Sequence, residues 1–122
     1  MSPSGAVFAL VASVEIATRL VKAAKHCHAQ LNNFDDVERL LAFAREKPPM
    51  FIILDWDERE AQAFRLLQAL RSAGLDKVPT VGFSSQSKGS LREEAQRAGC
   101  HRVYPKSEFI RNLDDIFMRY VT

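Results

Sequence analysis

The sequence predicts one α/β domain built on a doubly wound, five-stranded parallel sheet. Three observations carry this. Strand-like and helix-like segments alternate along the whole chain, with no long linker and no low-complexity tract, which is the signature of parallel strands joined by crossover helices. The clearest strand, Met50 to Leu54, is apolar at every position. It does not alternate, as a strand covered on both faces would not. The chain has 122 residues, which fits one domain of roughly 100–200 residues spanning 1–122. Its hydrophobic fraction of 47% and charged fraction of 26% are those of a soluble globular protein, not of a disordered one. A core of this size needs no metal or disulfide staple.

Each element has its own signal. Ala6 to Val11 is a short apolar run and reads as the first strand. Ser13 then caps a helix that carries Ile16, Ala17, Leu20, Val21 and Ala24 on one face. Ala29 to Leu31 is a weak second strand. Asp35 reads as the cap of a second helix, in which Val37, Leu40, Leu41 and Ala44 recur at helical spacing. Pro48-Pro49 ends it, because proline lacks the N–H and restricts the residue before it. After the Met50–Leu54 strand, a third helix covers about Ala61 to Ala73, with Gly74 placed to close it in a left-handed conformation. Val78 to Phe83 is the fourth strand, with Pro79 near its start. Ser90 and Glu93 have the spacing of a capping box for the fourth helix, which Gly99 ends. Arg102 to Tyr104 is a short fifth strand. Ser107 precedes a last helix with Phe109, Leu113, Ile116, Phe117 and Tyr120 on one side. Right-handed crossovers place helices on both faces of such a sheet, and a ligand site falls at the carboxyl ends of the strands.

Composition excludes several classes of function. With 17 Lys plus Arg against 15 Asp plus Glu, the net charge is +2, and the two signs are interspersed. No basic field is available for nucleic acid or an anionic membrane surface. The longest apolar run is far too short to span a bilayer. No Lys or Arg precedes the apolar stretch near the start, so that stretch reads as a strand and not as a signal peptide. The two cysteines, Cys27 and Cys100, form no CxxC pair, which fits a reducing, cytoplasmic compartment. There is no G-x-S-x-G, no G-x-G-x-x-G and no P-loop. Enzymatic activity is not expected, and no cofactor is implied. His26-Cys27-His28 sits at a helix C-terminus, where positive side chains are favoured, and lacks the spacing of metal ligands. His101 has no evident partner in the sequence, and Cys100 reads as packing.

The strand ends bring together Ser13, Asp55, Asp57, Ser84 and Lys106. A carboxylate, a hydroxyl and an ammonium at one edge form a set that can hold a phosphoryl group. In these residues the chain resembles the receiver domains of bacterial two-component response regulators, the CheY-like branch of the flavodoxin-like fold, with strand order 2-1-3-4-5. FIILDWD resembles the segment whose aspartate accepts phosphate, which places Asp55 at that position. PTVGFSS places Ser84 at the phosphate-contacting Ser/Thr position, and AGCHRVYPKS places Lys106 at that of the lysine. EAQAFRLLQALR resembles the family's third helix.

The departures are as informative as the matches. Two acidic residues that bind a divalent cation in the family are replaced by Ala12 and Ser13. Arg59 and Ala63 stand near the family's proline and glycine, Val103 replaces its aromatic switch residue, and Ser107 its second proline. Magnesium needs oxygen ligands, usually including one or two carboxylates, and without it phosphoryl transfer to Asp55 loses electrostatic support. Asp57 lies where the family lends a backbone carbonyl to the metal; its side chain or that of Glu15 is a candidate substitute. Asp55 can equally cap a turn or pair with Lys106, and Ser84 can be a turn hydroxyl. Trp56 either covers the Asp55 pocket, offers an exposed anchor to a partner, or is a partly buried packing residue.

The resemblance implies a degenerate receiver, or pseudo-receiver. Such a module binds other signalling proteins, a sensor kinase or an output protein, through its fourth helix, fifth strand and fifth helix, without metal-assisted phosphorylation. Its amphipathic last helix can also support a homodimer. The first alternative is a working receiver phosphorylated on Asp55 by a sensor histidine kinase, with Mg2+ as cofactor. The second is a small flavodoxin-like ligand-binding protein or enzyme, supported by the fold alone.

Overall fold

The computed structural model describes residues 5–85 and 89–121. The elements run β1 (Ala6–Leu10), α1 (Val14–His26), β2 (Gln30–Asn33), α2 (Val37–Glu46), β3 (Phe51–Asp55), α3 (Glu60–Ser72), β4 (Thr80–Ser84), α4 (Gly89–Arg97), β5 (Arg102–Pro105), α5 (Lys106–Arg111) and α6 (Leu113–Tyr120). All strand pairs are parallel, and the sheet order is β2-β1-β3-β4-β5, the doubly wound arrangement expected. Among the described residues, no helix is long and apolar enough to cross a membrane.

Strand alternation divides the core in two. Phe8, Leu10, Ile52 and Leu54 face α2, α3 and α4, where they meet Leu40, Leu66, Leu70 and Leu91. Val7, Ala9, Phe51, Ile53, Val81 and Phe83 face the other way, onto Ile16 and Leu20 of α1 and Phe109, Ile116 and Phe117 of the last two helices. β3 is buried at all five positions, which is why its sequence does not alternate.

The caps agree with the sequence in part. Ser13 Oγ accepts the Ile16 N–H at 3.2 Å, and Gly74 and Gly99 adopt φ of 74° and 117°. The second helix is capped by Asp36, not Asp35: Asp36 is extended and its Oδ1 accepts from Glu38 N at 3.1 Å. β2 starts one residue later and runs two further than expected, because His28, at φ 58°, turns the chain out of α1. Ser90 lies inside α4, which begins at Gly89, so it does not occupy the cap. Ser107 is likewise already helical. The last helix is two helices, broken at Asn112. The apolar spacing from Phe109 through Leu113 to Phe117 continues across the break, so periodicity alone does not reveal it.

Candidate functional site

The carboxyl ends of β1, β3 and β4 enclose a cleft of about 380 Å3 lined in part by Ala12, Ser13, Asp55, Asp57, Ser85 and Lys106. Asp55, the last residue of β3, is wholly buried. Its Oδ1 accepts the N–H groups of Asp57 at 3.0 Å and Glu58 at 2.9 Å, and its Oδ2 accepts that of Ala12 at 3.2 Å. Three backbone dipoles thus converge on one carboxylate and offset its charge.

The Ala12 N–H is aimed at Asp55 by a device the sequence reading missed. The side-chain amide of Asn33, at the end of β2, copies a peptide group. Its Oδ1 accepts from Val11 N at 3.0 Å and its Nδ2 donates to Val11 O at 3.0 Å. These bonds add a rung to the β1–β2 ladder and fix the chain just before Ala12. An asparagine ending a weak polar strand was the available signal, but its partner lies 22 residues away.

The Asp57 side chain is engaged by the end of β4. Its carboxylate receives the Ser85 N–H, at 2.9 Å to Oδ1 and 3.2 Å to Oδ2, and Ser84 Oγ lies 3.5 Å from Oδ1. Ser84 is buried at the end of β4. Lys106, the first residue of α5, lines the same cleft, but among the described residues it forms no ion pair with Asp55 within 4.0 Å. Glu15 is drawn to Arg19 on the exposed side of α1 at 3.5 Å and does not complete the site.

A divalent cation does not fit this set. Ala12 and Ser13 offer no carboxylate, and Ser13 Oγ is committed to capping α1. Both oxygens of Asp55 hold backbone N–H groups and Asp57 holds Ser85. Among the described residues, no group of three or more His, Cys, Asp or Glu is arranged to hold a metal.

Trp56 is completely buried, neither covering the cleft nor offering an exposed anchor, and more enclosed than the partly buried packing residue considered. Alternation sends it to the face opposite Asp55, where it packs edge-on against Phe64 at 4.8 Å and lies flush on Gly82 of β4. A Cβ at Gly82 would come 2.5 Å from Trp56 Cδ1, so the glycine makes the space for the indole.

None of the remaining candidates lines this cleft. His101 Nδ1 accepts the Thr80 N–H at 3.0 Å and so ties the start of β4 to β5; the partner unseen in the sequence is a backbone group. His26 Nδ1 lies 3.2 Å from Asp114 Oδ1 in an exposed pair. Cys100 is buried, and its thiol is pushed up chiefly by that burial. Cys27 is also raised, by burial first and the Asp114 carboxylate second. Beside the cleft, Val103, Leu91 and Ile110 floor a larger apolar cavity of about 570 Å3 between α4, β5 and α5, with Arg92 and Lys106 among its lining.

Comparison with solved structures identifies the fold. A response regulator from Hahella chejuensis superposes with a TM-score of 0.84 at 22% identity, covering 98% of this chain and 96% of that one. The chemotaxis response regulator CheY4 of Vibrio cholerae gives 0.79 at 18% identity over 95% and 98% of the two chains. The signal receiver domain of NarL from Mycobacterium tuberculosis gives 0.76 at 15% identity over 98% and 96%. No protein-family model matches the sequence, and neither does any curated protein. The chain has the fold of response-regulator receiver domains.

Proposed function

We propose that this domain is a receiver-like signalling module that acts by binding other proteins and does not depend on metal-assisted phosphorylation. One observation carries the reading: both oxygens of Asp55, at the acceptor position, are engaged by the N–H groups of Ala12, Asp57 and Glu58, while Ala12 and Ser13 stand where cation-binding acids would be needed. The carboxylate works here as a structural anchor for two loops, the one after β1 and the one after β3. No catalytic role is assigned to any residue, and no cofactor is required.

The binding face in this reading is α4, β5 and α5. Its apolar cavity is floored by Leu91, Val103 and Ile110 and bordered by Arg92 and Lys106, which suits a protein partner presenting apolar and acidic side chains. A sensor kinase or an output protein of a cytoplasmic signalling pathway is the partner class proposed, with self-association through the last helix as a further mode.

A second reading, a phospho-accepting receiver, is favoured by Lys106 lining the cleft with Asp55. Mass spectrometry after incubation with acetyl phosphate and magnesium separates the two. The interaction-module reading expects no stable mass gain. A near-stoichiometric adduct that disappears in Asp55→Asn would establish the phospho-acceptor instead.

A further inference from the structure

We infer that Asp57 is a built-in anion: its carboxylate fills the hydrogen-bonding groups at the end of β4 that a phosphoryl group on Asp55 would need, and so holds the two loops together without modification. The inference rests on the receiver-like reading of this edge and adds to it what occupies the edge.

The geometry is that of an anion in its cradle. The backbone N–H of Asp57 is fixed to Asp55 Oδ1 at 3.0 Å, which sets the residue beside the acceptor position. From there its side chain meets the Ser85 N–H head-on, with both oxygens within 3.2 Å, and the Ser84 hydroxyl stands at 3.5 Å. These donors recognise a negatively charged oxygen, whether of a carboxylate or of a phosphoryl group. They cannot serve both, and two anions sharing one cleft repel. Lys106, on the same cleft, supplies positive charge to whichever anion is present. The contact spans 28 residues of sequence and ties the turn after β3 to the end of β4.

The test uses the full chain, amide-resolved NMR and inorganic phosphate as the probe. In Asp57→Ala the Ser85 N–H loses its acceptor, and its hydrogen exchange should quicken by about tenfold. Phosphate should then shift the Ser85 and Lys106 signals and restore part of the protection, while leaving the wild-type signals unmoved. A purely structural cap predicts the faster exchange but no phosphate response in the variant. Should Asp57→Ala fail to fold, Asp57→Asn keeps an acceptor oxygen, so Ser85 should stay protected and indifferent to phosphate. The inference is overturned if Ser85 exchanges alike in wild type and Asp57→Ala, if it loses protection in Asp57→Asn, if phosphate leaves Asp57→Ala unmoved, or if phosphate shifts Ser85 in the wild-type protein. These outcomes are separate from the fate of the functional reading, which is decided by the mass of Asp55 after acetyl phosphate treatment.

Discussion

Replacing Asp55 tests whether its carboxylate is held or merely tolerated. A buried carboxylate close to two others, Asp57 and Glu58, is destabilising if repulsion dominates, and its neutralisation then raises stability. The structure argues the opposite sign. Three backbone N–H groups lie 2.9–3.2 Å from its oxygens, and hydrogen bonds to a charged group are worth about 1.5–3 kcal/mol each against about 1 for neutral pairs. Asp55→Asn keeps one oxygen for Asp57 and Glu58 but turns an NH2 toward the Ala12 N–H. It therefore weakens two bonds and removes the third, while relieving part of the cost of burying a charge. The net loss should be about 1–2 kcal/mol. Asp55→Ala leaves all three donors without a partner, and water entering through the open cleft limits the loss to about 3 kcal/mol. At about 4 °C per kcal/mol for a domain of this size, thermal unfolding followed by circular dichroism should fall by roughly 6 °C for Asn and roughly 12 °C for Ala. An Asp55→Asn protein as stable as wild type, or more so, refutes the argument and shows that repulsion outweighs the backbone cradle.

Two further outcomes follow from packing and titration. Gly82→Ala drives a methyl into Trp56 and to 2.8 Å from the Leu54 carbonyl, which should cost about 3 kcal/mol in urea unfolding; a smaller cost in a Trp56→Phe background would assign the clash to the indole, and an unchanged midpoint would remove it. Burial raises the Cys100 thiol above its ordinary 9.0; burial and then Tyr104 raise the Tyr120 hydroxyl above 10.0. The folded state therefore keeps these protons after the unfolded chain has released them. Stability should decline as pH rises past 9.0 toward the raised value, and Cys100→Ala should flatten the first part of that decline; a profile flat through this range would contradict it.

The fold was legible because its signals are local or periodic. The uninterrupted apolar run of β3, the Ser13 cap and the Gly74 closure each depend on a few adjacent residues. Asp55 and Ser84 at strand ends, and Lys106 directly after one, are legible for the same reason: a strand's end is visible in its own segment. What escaped depends on pairing across the sheet. Trp56 was placed too near the surface because only the β3–β4 register, Leu54 beside Gly82, reveals the room beneath it. Asn33 on Val11 and Asp57 on Ser85 join segments whose proximity is set by topology, so no motif announces them. Of the two alternatives the sequence allows for Asp55, capping a turn or pairing with Lys106, the first is the local one, and it is the one the N–H groups of Asp57 and Glu58 realise.

The order β2-β1-β3-β4-β5 also divides the site by its history in the chain. The N–H groups on the Asp55 carboxylate come from one continuous stretch, Ala12 through Glu58, steadied by Asn33 within it. The Asp57 carboxylate reaches across to the β4–β5 half, where the β3–β4 ladder and the Trp56 N–H on the Phe83 carbonyl also join the two halves. If those two strands loosen while the first three stay paired, a form of partial opening available to parallel sheets, the Asp57 carboxylate is released while the Asp55 carboxylate keeps its three N–H partners. The edge of the sheet would then behave as a hinge that uncovers Ser84 and Ser85 while the acceptor carboxylate remains seated.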